Sequence, residues 1–212
     1  TTNSFDESHF SVISENIKRI RNEIAESAVK SNRSPKDVRL MAVTKTVCTE
    51  YINYAINNCG IDLIGENKVQ EFLSKEDALD LDKTEKHLIG HLQTNKVKKI
   101  VGKVDMIQSV DSLRVAKSIS DESVKSGITS EILLEINIGD EDSKTGFDKG
   151  EFEDSLVQIS LLPNIAVKGL MTIPPICEST SELEKYFEKM SNYYNEIKQG
   201  NYPNFDFKIL SM

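Results

Sequence analysis

Cysteine is scarce in this sequence of 212 residues: there are three, Cys48, Cys59 and Cys177, with no CxxC spacing. An odd count without that spacing argues against a disulfide framework and for a reducing compartment. Proline and glycine are also few, 5 and 10, and with 38% hydrophobic and 28% charged residues the composition excludes collagenous and disordered chains. No apolar run approaches the ~18 residues of a membrane span. The amino-terminal TTNSFDESHF lacks a basic stretch followed by an apolar one, so no leader is expected. Basic side chains are outnumbered 26 to 34, a net charge of −8. Such a surface repels phosphate backbones and anionic lipid, so a small molecule is the expected partner rather than nucleic acid or membrane. These properties describe a cytoplasmic protein long enough to bury one core without staples.

What is present is a regular alternation. Val12, Ile13, Ile17, Ile20, Ile24 and Val29 recur near every 3.6 residues, an amphipathic helix that Pro35 closes off. The run VRLMAVTK (38–45) is then short, apolar and rich in β-branched residues, the pattern of a buried strand. Further strands are predicted at 62–65, 87–90, 106–110, 131–138, 167–173 and 207–210, and helices at 49–58, 68–79, 92–100, 113–126, 149–162 and 179–199. Strands alternating with helices imply βα units and a parallel sheet. No glycine follows the first strand in VTKTVCTE, so a dinucleotide-binding doubly wound sheet loses its main support and a barrel is favoured.

In either architecture ligands bind at the carboxyl ends of the strands. There the sequence sets Lys45, Glu66, Asn67, His91, Gln93, Asp111, Ser112, Asn137, Thr172 and Ser211, each of which alone could be a loop start or helix cap. Lys45 ends an apolar run, where burial would favour the neutral, nucleophilic amine that condenses with an aldehyde. A strand-end lysine reaching into water has the same spacing, and spacing does not separate the two. His87 and His91 read as part of a strand, where residues four apart are about 13 Å from each other, too far for one metal ion. Cys48 reads as a small buried residue. The acidic segment GDEDSKTGFDKGEFED fails as a calcium loop because Lys144 takes a ligand place between Asp140 and Glu151, alongside Asp142; a solvated loop with a turn at Gly146 is expected.

Seven runs of residues, in order, resemble the pyridoxal phosphate homeostasis proteins, relatives of the barrel domain of alanine racemase. They are AVTKT (42–46), IGENKVQE (64–71), HLIGHLQTNK (87–96), SVDS (109–112), LLEINIGDEDSKTGF (133–147), GLMTIP (169–174) and ILSM (209–212). The resemblance implies an α/β fold, a (β/α)8 TIM barrel of the alanine racemase N-terminal type, as a single domain over 1–212. It implies pyridoxal 5′-phosphate (PLP) as the cofactor, held as a Schiff base on Lys45. By the same resemblance Asn67 and Met171 line the cofactor pocket, and Ser211 with Met212 begins the phosphate-binding stretch. Neither histidine is given a catalytic role, and no catalytic residue or metal ligand is implied.

The implied function is intracellular buffering and delivery of PLP, with PLP-dependent apoenzymes as partners, rather than turnover of a substrate. Two alternatives are a PLP-dependent amino-acid racemase or lyase of low activity, and an interaction module without cofactor. Family members continue past the LSM run with a Gly-Met-Ser turn, a helix and an eighth strand ending in Arg-Ile-Gly. Against that pattern this chain is expected to lack its eighth strand and to grip the phosphate weakly.

Overall fold

A computed structural model describes residues 6–139 and 145–212. Asp140, Asp142 and Lys144 of the discarded calcium loop therefore lie outside the described residues. The chain divides into two compact units, one ending at His87 and the other beginning at Leu88.

The first unit contains helix α1 (His9–Lys30), strand β1 (Ala42–Val43), helix α2 (Thr49–Cys59), strand β2 (Leu63–Glu66) and helix α3 (Val69–Lys75), and ends in strand β3 (Glu85–Leu88). The apolar stripe of α1 does what its period predicts: Ile13 and Ile17 pack against a cluster of Ile52, Ala55, Ile61 and Ile64. The polar face contributes Arg21, whose guanidinium donates to the carbonyls of Cys59 and Gly60 at 2.7 and 2.6 Å. A cation there meets the negative end of α2, which Gly60 terminates at φ 64 in the left-handed region.

β1 and β2 are parallel, with Ala42 opposite Ile64 and Val43 opposite Gly65. β1 is shorter and more open than the expected buried strand over 38–45. In this register β2 begins opposite Met41, so Val38, Arg39 and Leu40 face no strand, and Val43 is 47% exposed. The helix predicted over 68–79 also stops early, passing at Glu76 into a tighter turn that ends at Ala78.

In the second unit follow α4 (Val97–Ile100), β4 (Met106–Val110), α5 (Leu113–Ser126), β5 (Ser130–Glu135), α6 (Lys149–Ser160), β6 (Ile165–Met171), α7 (Thr180–Lys198) and β7 (Phe205–Ser211). The strands lie in chain order, β4-β5-β6-β7, every pairing parallel, so each helix serves as the crossover that parallel neighbours require. Ile132, Leu133 and Leu134 are fully buried in succession, the signature of a strand covered on both faces. Ser112, Asp148 and Ser179 cap α5, α6 and α7, each accepting a backbone N–H of the first turn.

Gly169 in β6 sits at φ 150, and a Cβ there would stand 1.8 Å from the carbonyl oxygen of Ile209 in β7. Gly146 lies in a bend at φ 114, with room for no side chain because the Asn137 nitrogen would lie 2.6 Å from a Cβ; the solvated loop expected here does not extend past it, since Phe147 is fully buried and α6 begins at Lys149. No helix of the described residues is long and apolar enough to cross a membrane.

Candidate functional site

Buried polar side chains collect at the carboxyl ends of the strands in each unit: Thr44 and Glu66 in the first, Ser109, Glu135 and Thr172 in the second. Water does not satisfy these groups, so the chain must.

In the first unit the buried polar groups brace the turn after β1. Thr44 donates its N–H to the Gly65 carbonyl at 2.9 Å, and its hydroxyl lies 3.1 Å from Glu66 Oε2. The Val47 N–H returns to the Thr44 carbonyl at 3.1 Å and closes the turn. Between them Thr46 holds φ 62, a conformation that costs a β-branched residue on the order of 1–3 kcal/mol. Its N–H donates to the carboxylate of Glu71 on α3.

Glu71 is gripped in turn by Lys75 Nζ at 2.7 Å, which also donates to the Thr44 carbonyl at 3.0 Å and to Glu66 Oε2 at 3.3 Å. That hydrogen bond from Lys75 holds the Glu71 carboxyl below its ordinary range, with the Thr46 N–H adding to the effect. Lys75 and Glu66 are sheltered, their side chains 14% and 3% exposed, so the pair is not exchanged for water.

Lys45 lies in this turn rather than at the end of a strand, because the strand stops two residues earlier. The turn lifts it outward: of the two readings its spacing left open it takes the exposed one, and among the described residues its amine has no hydrogen-bond or ion-pair partner. Asn67 follows β2 half-buried. Its backbone N–H donates to Glu66 Oε1 at 2.9 Å, and its side-chain amide makes no hydrogen bond among the described residues. Cys48 is half-buried and precedes α2.

In the second unit Met171 and Ser211 are neighbours across the β6–β7 ladder. Met171, 2% exposed, belongs to an apolar cluster with Met106, Leu133 and Ile209. The Ser211 hydroxyl donates to Gln108 Oε1 at 2.7 Å, while Met212 beyond it is 54% exposed. His91 Nδ1 lies 2.7 Å from Asp111 Oδ2.

Glu135, at the end of β5, is the most perturbed group among the described residues. Burial pushes its carboxyl up to about 6, with the charge of Asp111 adding to the rise and the Thr145 hydroxyl and His91 opposing it. One carboxyl oxygen accepts the Thr145 hydroxyl at 2.8 Å; the other is buried with no hydrogen-bond partner among the described residues.

Sequence reading singled out Lys45, Glu66 and Asn67 and passed over Glu71, Lys75 and Glu135, which the structure adds to the polar groups at the strand ends. Glu71 and Lys75 are spaced four apart on a predicted helix that starts just past a strand end, which places both on one face of that helix. Glu135 is a charge inside the otherwise apolar run ILLEI, a visible anomaly.

Comparisons with known proteins agree with the motifs. The family model for the alanine racemase N-terminal domain matches residues 11–212. The pyridoxal phosphate homeostasis protein of Aquifex aeolicus is 38% identical over 186 residues, 87% of this chain and 81% of that protein. A crystal structure of an unknown protein from Bifidobacterium adolescentis superposes with a TM-score of 0.91 at 32% identity, covering 99% of this chain and 88% of that one. PipY of Synechococcus elongatus, solved with PLP bound, gives 0.77 at 31% identity, covering 89% and 88%.

Proposed function

The chain belongs to the alanine racemase N-terminal domain family, among its pyridoxal phosphate homeostasis proteins, and from that membership we propose that it binds PLP at Lys45 and serves PLP homeostasis in the cytoplasm rather than substrate turnover. PipY, solved with PLP bound, supports the cofactor. When bound, PLP supplies an aldehyde that condenses reversibly with a primary amine.

The observation that carries the reading is the contrast between two lysines of the first unit. Lys75 spends its three donors on three protein oxygens, whereas Lys45 is exposed, with no partner among the described residues, in a turn braced on both sides. The residues present therefore fit the group: a free amine on fixed backbone is what covalent capture needs. Asn67, with an open side-chain amide, and Met171, Ser211 and Met212 are proposed as the remaining contacts, assigned from the family motifs. PLP-dependent apoenzymes are the proposed recipients. No residue of the chain is assigned a proton-transfer step on a substrate.

The test is spectroscopic and chemical. Wild-type protein mixed with PLP is expected to turn yellow, and borohydride reduction followed by peptide mapping to place the added mass on Lys45. Lys45→Ala should lose both signals; retention of either would reject Lys45 as the attachment point. Sustained exchange of amino-acid α-hydrogens in heavy water would instead support the racemase or lyase alternative.

A further inference from the structure

We propose that Glu71, clamped by Lys75, is a positioning residue for Lys45: it holds the turn after β1 in the one backbone conformation that presents the Lys45 amine. The proposal rests on the reading of Lys45 as the attachment residue.

The turn cannot hold itself. Thr46 stands at φ 62, where its branched side chain crowds the backbone, and a free chain would let it relax to negative φ. Rotation about that bond would swing the peptide that joins Lys45 to Thr46. What opposes the relaxation is the hydrogen bond from the Thr46 N–H to the Glu71 carboxylate. A charged acceptor makes that bond stronger than a neutral one.

Glu71 has little freedom of its own, because Lys75 fixes it from one turn further along α3. The same ammonium reaches the Thr44 carbonyl and Glu66, the last residue of β2. Lys45 is thus flanked by two residues fastened to one ammonium, Thr44 directly and Thr46 through Glu71. The clamp also chooses between amines. Lys75 is consumed by the scaffold and Lys45 is left to react.

Four variants test this: Glu71→Ala, Glu71→Gln, Thr46→Gly and the double variant Glu71→Ala/Thr46→Gly. Three quantities are measured: the rate of PLP capture at Lys45 by reduction and peptide mapping, hydrogen exchange of the residue-46 amide in cofactor-free protein, and the thermal midpoint. Glu71→Ala is expected to slow capture at Lys45 by roughly tenfold or more, in line with the cost of small misplacements, and to expose the residue-46 amide. Glu71→Gln keeps an oxygen for that N–H and should stay within about threefold of wild type, the measure of one weakened hydrogen bond. Thr46→Gly should restore capture in the Glu71→Ala background, since glycine adopts positive φ without a side-chain clash.

Rescue with an unrecovered thermal midpoint would be the signature of positioning, because a merely structural role recovers the two together. Capture at the wild-type rate in Glu71→Ala overturns the proposal. So does a Glu71→Gln loss equal to that of Glu71→Ala, or failure of the glycine rescue. If wild type captures nothing at Lys45, the attachment reading fails instead, and the amide exchange still decides whether Glu71 holds the turn.

Discussion

Glu135 is unusual among the carboxylates because its environment works against its charge. Most perturbed acids here are held down by hydrogen-bond donors, as Glu71 is by Lys75 and Asp206 by Lys208 and Lys168. Glu135 has one hydroxyl and an otherwise dry setting, so its carboxyl rises from 4.5 to about 6. The consequence for stability has a definite sign. Below the unfolded value of 4.5 both states are protonated and nothing is lost; between 4.5 and about 6 the unfolded chain ionises first, so folding weakens as pH rises.

A shift of that size is worth about 2 kcal/mol. Glu135→Gln removes the ionisation while leaving an oxygen for Thr145, and should raise unfolding free energy by about that much at pH 7 with little change at pH 4. Urea titrations at the two pH values measure it; equal effects at both would show that the carboxylate is not strained. A protein that keeps such a charge at a strand end gives up stability where ligands bind in this fold.

At the level of elements, β6 and β7 approach each other closely at Gly169. Gly169 permits it, since any Cβ would sit 1.8 Å from the Ile209 carbonyl oxygen. Backbone cannot step aside as a side-chain tip can, so Gly169→Ala must force the two strands apart. A cost on the order of 3 kcal/mol or more is expected, read as a large drop in the thermal midpoint. A loss of less than about 1 kcal/mol, the typical effect of a point change, would mean the strands separate freely.

Elements whose apolar period is long and whose ends carry caps were legible in the sequence. The bounds of β4 and α5 agree with expectation residue for residue, with Ser112 and Gly127 marking the ends of α5. β1 was not legible, because its length is set by where β2 begins and not by its own composition. The turn that carries Lys45 was hidden for the same reason: a run that reads as a strand to its last residue ends two residues early, and which of the two readings of the lysine holds could not be told from spacing. Its proposed role as the attachment residue rests on the motif AVTKT and its successors, since a lone strand-end lysine says little. Glu71 and Lys75 had a readable spacing, but only the structure joins them to the turn that carries Lys45.

At the scale of the whole molecule, an acidic α/β protein with buried polar strand ends is suited to a small ligand rather than to a polyanion. A ligand that binds only the folded chain stabilises it by mass action, by about 2.7 kcal/mol at a hundredfold excess over its dissociation constant. PLP should therefore raise the melting temperature of the wild-type protein in proportion to the logarithm of its concentration. Lys45→Ala, altering an exposed side chain with no partner among the described residues, should melt like wild type without PLP and gain much less with it. An equal gain in both proteins would mean that the stabilising contacts do not depend on the amine.

The cysteines provide a separate handle on the two compact units. All three are half-buried; Cys48 and Cys59 belong to the first unit and Cys177 to the second. Cys59 Sγ rests 3.4 Å from the Ser14 hydroxyl, so it becomes available to a thiol reagent when α1 parts from α2, while Cys177 Sγ donates to the Pro175 carbonyl at 3.3 Å in the segment after β6. The native chain therefore carries an intrinsic reporter in each unit, and the order in which these thiols alkylate under partial denaturation distinguishes stepwise from concerted opening without any engineered label.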